Sequence, residues 1–272
     1  MLKLYSYNSS ICAQKVRITL AEKGLSFDTE NIDLFTNEQF KPAYLKINPK
    51  GVVPALDHDG RIVIESSLIC EYLDEEFPEP RLTPDDAFGR ARMRLWSKEV
   101  DEHLFEATRE LSFSAMFRER MRSMTEEQRA TRFNNVGDPI KRERLMSTYA
   151  EGVESPYVYQ GIANFEVAFA KMEKELIKGP WLLGERMTLA DINMMPFVAR
   201  LNYLGLLEAW TDDRPATKAW WERARALRSF RVSITEKTTE AEAAAMKQFG
   251  SVLLERVRQR RDDYLRQPKA AA

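Results

Sequence analysis

Residues Leu2 to Tyr7 alternate apolar and polar side chains and predict a first strand. Asn8-Ser9-Ser10 is loop chemistry. From Cys12 to Lys23 the pattern is that of an amphipathic helix, with Val16, Ile18 and Leu20 turned inward. Gly24 stands where a left-handed C′ cap belongs. Leu25 to Ile32 predicts a second strand, and strand, helix, strand in that order predicts a parallel pair. Residues 36–47 predict a short irregular helix containing Pro42. Val52, Val53, Ala55 and Leu56 then read as a short strand interrupted by Pro54. Asp59-Gly60 signals a two-residue type I′ turn, whose two centres both need positive φ. Ile62, Val63 and Ile64 form the returning strand. Beyond Glu65-Ser66-Ser67, the residues Leu68, Ile69, Tyr72 and Leu73 recur at helical spacing through Phe77.

After this point the pattern changes period for good. Pro78 to Pro84, in FPEPRLTP, is a linker, because prolines at that density stop helices. Asp85-Asp86 open a long helix whose Met93, Trp96, Val100, His103 and Leu104 fall near one stripe. Residues 112–155 are charged and rich in Met and Arg. Within them, Thr125 followed by Gln128 is a capping-box start. Residues 157–178 form an amphipathic helix ending at Gly179-Pro180. Thr188 caps a further helix whose N3 residue is Asp191, with Met187 and Ile192 spaced as a hydrophobic staple and Pro196 expected to kink or shorten it. Trp220-Trp221 belongs to the next helix. Residues 239–265 predict one more amphipathic helix, on Ala243, Met246, Phe249, Leu253 and Val257, with Arg256, Arg258, Arg260 and Arg261 toward its end. Whether it folds back over a pocket or covers a dimer surface is open at this level.

Composition narrows the partners more than the fold. The 272 residues carry a net charge of −1, with 44% hydrophobic and 31% charged residues. That balance implies neither nucleic acid nor an anionic membrane, and no apolar run reaches the length of a membrane span. The chain enters its first strand without a secretory or transit signal, so the expected location is cytoplasmic. Two cysteines, Cys12 and Cys70, make no disulfide framework. His58 and His103 show no metal-ligand spacing, so no metal is expected. The one low-complexity stretch is the terminal Ala-Ala-Ala.

Glu65-Ser66-Ser67 is the first stretch with distinct chemistry. A strand-to-helix junction written this way puts a carboxylate, two hydroxyls and unpaired helix N–H groups in one small volume, suited to a ligand with both an ammonium and a carboxylate. Pro54 allows two readings: an ordinary edge-strand proline, or a cis bond that frees backbone groups for a ligand. Taken together, V-P-A-L, D-G and E-S-x-x-I-x-x-Y-L resemble the glutathione-binding half of the cytosolic glutathione transferases. The resemblance spans about 25 residues in fixed order, and T-x-A-D at Thr188–Asp191 is a second signal of the same family. It implies an α+β, two-domain protein, with a thioredoxin-like N-terminal domain over 1–79, a linker over 80–87 and an all-α helical bundle over 88–272. The bundle would contain the insertion 112–155 and the extra helix 239–265. The resemblance also implies that the backbone of Val53, before a cis Pro54, pairs with the cysteinyl part of glutathione. Glu65 and Ser66 would hold its γ-glutamyl end. Family members commonly carry Lys or Gln where this chain has Val52, and some carry a basic residue in place of Phe40. Contacts to the glycyl carboxylate therefore fall to Gln39 and Lys41.

Ser10 is the residue expected to do chemistry. It opens the first helix seven residues before Arg17, a spacing similar to the serine or cysteine position of the tau, zeta and omega-like branches. A free thiol of pKa about 8.5 is only a few per cent thiolate at pH 7. Lowering that pKa by about two units takes roughly 2.7 kcal/mol. A hydroxyl bond to a charged sulfur supplies on the order of 1.5–3 kcal/mol, and a helix N-terminus about 0.3–1 more. The same position also suits a plain N-cap. Ser9 and Cys12 are the alternatives for the reactive position, while Cys70 reads as core.

Residues 96–155, with W-x-K-x-V-D-E, M-T-E-E and N-x-x-G-D-P, resemble the insertion of the bacterial β-etherase branch, whose members use glutathione to cleave lignin-derived β-aryl ethers; a solvated helical hairpin is the other reading. Trp96 and His103 read as core packing on pattern alone, and as lining an apolar electrophile pocket by the resemblance. The expectation is a dimeric transferase, homo- or heteromeric, with glutathione as cosubstrate and a hydrophobic aromatic partner. A general detoxifying transferase, a non-catalytic glutathione-binding module and a thiol reductase acting through Cys12 are the competing classes.

Overall fold

The computed structural model describes residues 1–34 and 36–267; the terminal Ala-Ala-Ala lies outside them. The chain forms two compact units. The first comprises Met1–Lys98, Glu175–Pro196 and Ala219–Thr239; the second comprises Glu99–Lys174, Phe197–Lys218 and the chain from Glu240 on.

The first unit is built on a four-stranded sheet of order β2-β1-β3-β4, from β1 (Leu2–Ser6), β2 (Asp28–Asn31), β3 (Ala55–His58) and β4 (Arg61–Ile64). The pair β1/β2 is parallel; β1/β3 and β3/β4 are antiparallel. β2 is shorter than its apolar pattern suggested and wholly exposed, an edge strand blunted by Asp28 and Glu30. β3 starts at Ala55, not Val52, because proline cannot donate to the ladder. Asp59 and Gly60 take φ of 52° and 83°, the type I′ hairpin geometry.

Helix α1 (Ile11–Glu22) ends in a Schellman motif: Leu25 N–H reaches Leu20 O at 3.0 Å and Gly24 N–H reaches Ala21 O at 3.2 Å, with Gly24 at φ 64°. It is not amphipathic in the usual sense, since every residue from Ala13 to Leu20 is buried. It is covered by α3 (Ser66–Glu76) and by α13 (Arg228–Ser233). Between β2 and β3, residues 36–47 resolve into a 3-10 turn, Glu38–Phe40, and the short α2 (Pro42–Leu45), with Pro42 at its first position. A fully buried ion pair closes this part of the unit. Lys23 Nζ meets Asp74 Oδ1 at 2.6 Å and Pro80 O at 2.7 Å, while Asp74 also accepts from Leu82 N and Thr83 N. The linker is thus fastened to the ends of two helices.

The long helix opens as α4 (Ala87–Lys98), then winds through π-helical Glu99–Leu104, α5 (Phe105–Ser112), a second π segment Phe113–Phe117, and α6 (Arg118–Arg122). The π turn changes the expected stripe. Met93, Trp96, Val100 and Leu104 are buried, but His103 is exposed. A wider turn advances the register by one residue, so His103 leaves the apolar face. Next come α7 (Glu126–Asn134), started by the complete Thr125/Gln128 capping box, α8 (Pro139–Glu151) and α9 (Pro156–Leu176).

Helix α10 (Leu189–Tyr203) carries the Thr188 cap. Asp191 Oδ2 accepts from Thr188 N–H at 3.0 Å, and Asp191 Oδ1 accepts from Leu182 N–H at 3.0 Å and Trp220 Nε1–H at 2.9 Å. Pro196 neither ends nor shortens it; the helix continues seven residues further. Helices α11 (Glu208–Thr211) and α12 (Pro215–Ala226) follow.

The predicted terminal helix is two helices, α14 (Glu240–Ser251) and α15 (Leu254–Arg266), broken at Val252-Leu253. At Gly250 a Cβ would stand 2.1 Å from Leu204 O, so only glycine permits that approach. The arginines of α15 dock it within its own unit. Arg256 grips Glu154 with two bonds of 2.6 and 2.7 Å, Arg260 adds a third, Arg258 reaches Asp212, and Arg261 bridges Glu166 and Asp213.

Two predictions follow from these polar clusters. Asp191→Ala strands two buried backbone N–H groups and an indole N–H, and is expected to cost about 3–5 kcal/mol, against about 1 for Thr188→Ala; urea midpoints measure both. The hydrogen bonds from Arg256 hold the Glu154 carboxyl down at about 2, below its ordinary 4.5. A depressed carboxylate stabilises the fold above its unfolded pKa and loses that contribution as pH falls through the folded one. The stability difference between the native chain and Glu154→Gln should therefore hold above about pH 4.5 and close toward pH 2 in urea titrations, as the half-exposed pair loses its charge.

Candidate functional site

Strand register gathers the chemistry of the first unit at one end of the sheet. Tyr5 pairs with Ala55, and Ala55 with Ile64. The exit of β1, the entry of β3 and the exit of β4 are therefore neighbours. Those three points lead to Ser10, from Pro54, and to Glu65-Ser66. Beneath them Tyr5, Ile32, Tyr44, Val53 and Ala55 make a small apolar cluster, with Tyr5 and Tyr44 edge to face at 5.9 Å.

The Val53-Pro54 bond is cis. The loop before it is pinned through one carbonyl: Val52 O accepts from Tyr44 Oη at 2.7 Å and from Asn48 Nδ2 at 2.7 Å. Burial pushes the Tyr44 hydroxyl up to about 12, so it stays a donor. Val53 itself is buried, yet among the described residues its N–H and C=O make no hydrogen bond. A buried peptide edge without partners is a place for another peptide group to pair. Gly51, at φ 61°, lets this loop close on its neighbour; a Cβ there would lie 2.8 Å from the Phe40 ring.

Ser10 caps α1. Its Oγ accepts from Ala13 N–H at 3.3 Å, and the residue is half-buried. A hydroxyl that accepts at a cap still has its own proton to donate. Ser9 and Cys12 are also half-buried beside it, and both are engaged elsewhere in the structure. Cys70 is core, fully buried in α3.

Glu65 holds φ 69° and ψ 110°, a conformation that non-glycine residues rarely adopt. It stands at the N-cap of α3 without capping it; the first intrahelical bond is Ile69 N–H to Glu65 O at 2.8 Å. The N–H groups of Ser66, Ser67 and Leu68 are thus left over at a helix N-terminus, which favours a carboxylate. Ser66 is buried there, and Lys15 Nζ ties α1 to α3 through Ser67 Oγ at 2.9 Å.

The remaining candidates divide. Gln39 is buried against the loop, and its Oε1 has no hydrogen-bond partner among the described residues. Lys41 is exposed and paired with Glu38 at 2.7 Å. Trp96 is buried in the first unit; His103 is exposed in the second, its carbonyl accepting from Asn164. Lys50 was not singled out by the sequence reading, yet its Nζ lies 2.5 Å from Glu65 Oε1. The N-P-K-G run before the proline was the available signal for it. Tyr44 and Asn48 were missed too, because their work is done through a carbonyl that no pattern displays. Among the described residues no group of three or more His, Cys, Asp or Glu could hold a metal ion, and no helix is long and apolar enough to cross a membrane.

A thioredoxin-like sheet with a cis-proline loop, followed by a helical region, defines the class. The family model for the glutathione S-transferase N-terminal domain matches residues 4–81, and that for the C-terminal domain matches residues 129–223. The chain belongs to the glutathione S-transferase family. Among its relatives is protein LigF of Sphingobium sp. strain SYK-6, 37% identical over 244 residues, covering 82% of this chain and 94% of that protein. The crystal structure of LigF, a beta-etherase, superposes with a TM-score of 0.75 at 32% identity, covering 86% of this chain and 99% of that one. Glutathione S-transferase Z1 of Arabidopsis thaliana is 52% identical over 91 residues, 33% of this chain and 41% of that protein.

If the shared Val52 carbonyl is what sets the loop, its two donors are coupled. Tyr44→Phe and Asn48→Ala should each cost about 1 kcal/mol. The double variant should cost more than their sum and raise KM for glutathione, as a double-mutant cycle in urea and in steady-state kinetics would measure.

Proposed function

We propose that this glutathione S-transferase uses the glutathione thiolate to cleave β-aryl ethers of lignin-derived aromatics. The similarity to the beta-etherase LigF along most of both chains carries this reading. Glutathione lies along Val53–Ser66. The backbone of Val53, before cis Pro54, pairs with its cysteinyl unit. The Ser66 hydroxyl and the free N–H groups of α3 take the γ-glutamyl carboxylate, and Glu65 takes the ammonium, exchanging Lys50 for it. Released from Glu65, Lys50 becomes available to the glycyl carboxylate together with Gln39 and Lys41.

The Ser10 hydroxyl donates to the sulfur and holds it as thiolate. That sulfur attacks the carbon bearing the ether oxygen; a C–S bond forms, the C–O bond breaks, and the phenoxide leaves with the electron pair and is protonated by solvent. No general base is required once the thiol is ionised. The aromatic electrophile is held by apolar side chains, Trp96 among the candidates. The exposed side chain of His103 makes it the weaker of the two. The domain division 1–79, 80–87 and 88–272, a dimeric assembly and a cytoplasmic location belong to the same reading.

Ser10→Ala is expected to move the pH of half-maximal turnover upward by about one to two units, since a bond worth on the order of 1.5–3 kcal/mol to the anion is lost. Turnover of a β-aryl ether with glutathione, followed by phenol release and thioether formation from pH 5 to 10, measures it. An unchanged profile assigns the role to Ser9 or Cys12. Absence of phenol release alongside conjugation of other electrophiles would leave a transferase of broader scope.

A further inference from the structure

Arg17 lies outside the groove just described, and its charge is not answered by the protein. It is 4% exposed. Its four hydrogen bonds all end on neutral oxygens. Nε donates to Ser233 O at 3.1 Å, Nη1 to Ser6 Oγ at 2.7 Å and Tyr7 O at 3.4 Å, and Nη2 to Asn8 O at 2.7 Å. A guanidinium has five N–H groups, so one is left over. Buried arginines ordinarily meet carboxylates, because an uncompensated interior charge is costly. Here burial draws the guanidinium down to about 10, and no neighbouring charge opposes that shift.

The same side chain lines a cavity of about 230 Å³ in the first unit. Around it stand Asn8, Thr29, the ring of Phe27 and Lys237, and none of its lining residues is acidic. Lys237 is exposed at the rim, and among the described residues its ammonium has no partner. Its neighbour Glu236 is turned to Arg231 at 3.4 Å. One buried cation with a spare donor, one free cation, and residues bearing a hydroxyl and an amide thus line one small pocket open to solvent.

We propose that this cavity is a binding site for a small oxyanion, a phosphate or carboxylate group, that serves as counter-ion to Arg17. The anion bonds the spare guanidinium N–H, is reached by Lys237, and rests against Phe27. The site is separate from the glutathione groove and does not depend on how that groove is read. Because Arg17 also holds the Tyr7 and Asn8 carbonyls, an anion there steadies the loop that carries Ser10.

Calorimetric titration of the whole chain at constant ionic strength tests this, in Hepes buffer, with sodium phosphate in one arm and sodium acetate in the other. One saturable site is expected, weakened at least tenfold by Lys237→Glu, which exchanges a rim cation for an anion on an exposed residue and leaves the far-ultraviolet circular dichroism unchanged. Phosphate binding tighter than acetate assigns a phosphoryl group; the reverse order assigns a carboxylate. Saturating glutathione should not displace the anion. No saturable heat in either arm, binding indifferent to Lys237→Glu, or competition by glutathione would each overturn the proposal.

Discussion

The antiparallel register of β1, β3 and β4 is the constraint on which the candidate site depends. Pairing Tyr5 with Ala55 and Ala55 with Ile64 forces three connections, far apart in sequence, to the same end of one sheet. A slip of one residue in either pair would turn Leu4 and Leu56 away from the core, where both are fully buried. Burial of those side chains therefore locks the positions of Ser10, Val53 and Glu65 relative to one another. The groove is precise because the core beneath it admits a single register.

Polar groups then refine what apolar packing leaves approximate. Asp74 receives the ammonium of Lys23 and two backbone N–H groups of the linker, which satisfies a buried charge from several sides at once. Asp191 is treated alike: burial raises it to about 6, while the hydrogen bonds from Leu182, Thr188 and Trp220 favour its ionised form. Tyr44 and Asn48 converge on one carbonyl. Asp74 and Asp191 join segments distant in sequence, the Val52 carbonyl joins the two ends of one loop, and in each case hydrophobic burial alone would leave the angle free. Arg17 joins β1, the loop before Ser10 and Ser233 in the same way, but without an acid.

Much of this was legible in the sequence, where the signal is local. The hairpin followed from Asp59-Gly60, the α1 terminus from Gly24, and the cap of α10 from Thr188 and Asp191. The cis-proline loop and the Glu65-Ser66 junction were legible as a motif. What stayed hidden depends on contacts that no window of residues contains. The π turn that exposes His103 changes the register inside an unbroken helical pattern. The break at Val252-Leu253 falls in a run with no proline, and the tight approach of Gly250 to Leu204 is visible only in three dimensions. The burial of Lys15 and Arg17 inverts the usual reading of charged helix positions, because α3 and α13 cover faces that the pattern assigns to water. The pattern placed Arg256, Arg258, Arg260 and Arg261 toward the end of the last helix and left its docking open, because their partners Glu154, Glu166, Asp212 and Asp213 lie far away in sequence.

The two readings of Ser10, cap and thiolate donor, are not rivals. A cap uses an oxygen lone pair, and stabilising an anion uses the hydroxyl proton. Accepting from Ala13 N–H restricts the rotation of the Oγ–H group, because the proton avoids the lone pair already engaged. It also draws electron density toward the helix N–H, which makes the hydroxyl a better donor. In the proposed reaction the helix terminus and the hydroxyl would act on the same sulfur through one residue, so their contributions would arrive together. A serine at this position can accordingly serve stability and chemistry at once, and the cap geometry is part of what makes a single hydroxyl sufficient in the proposed reaction.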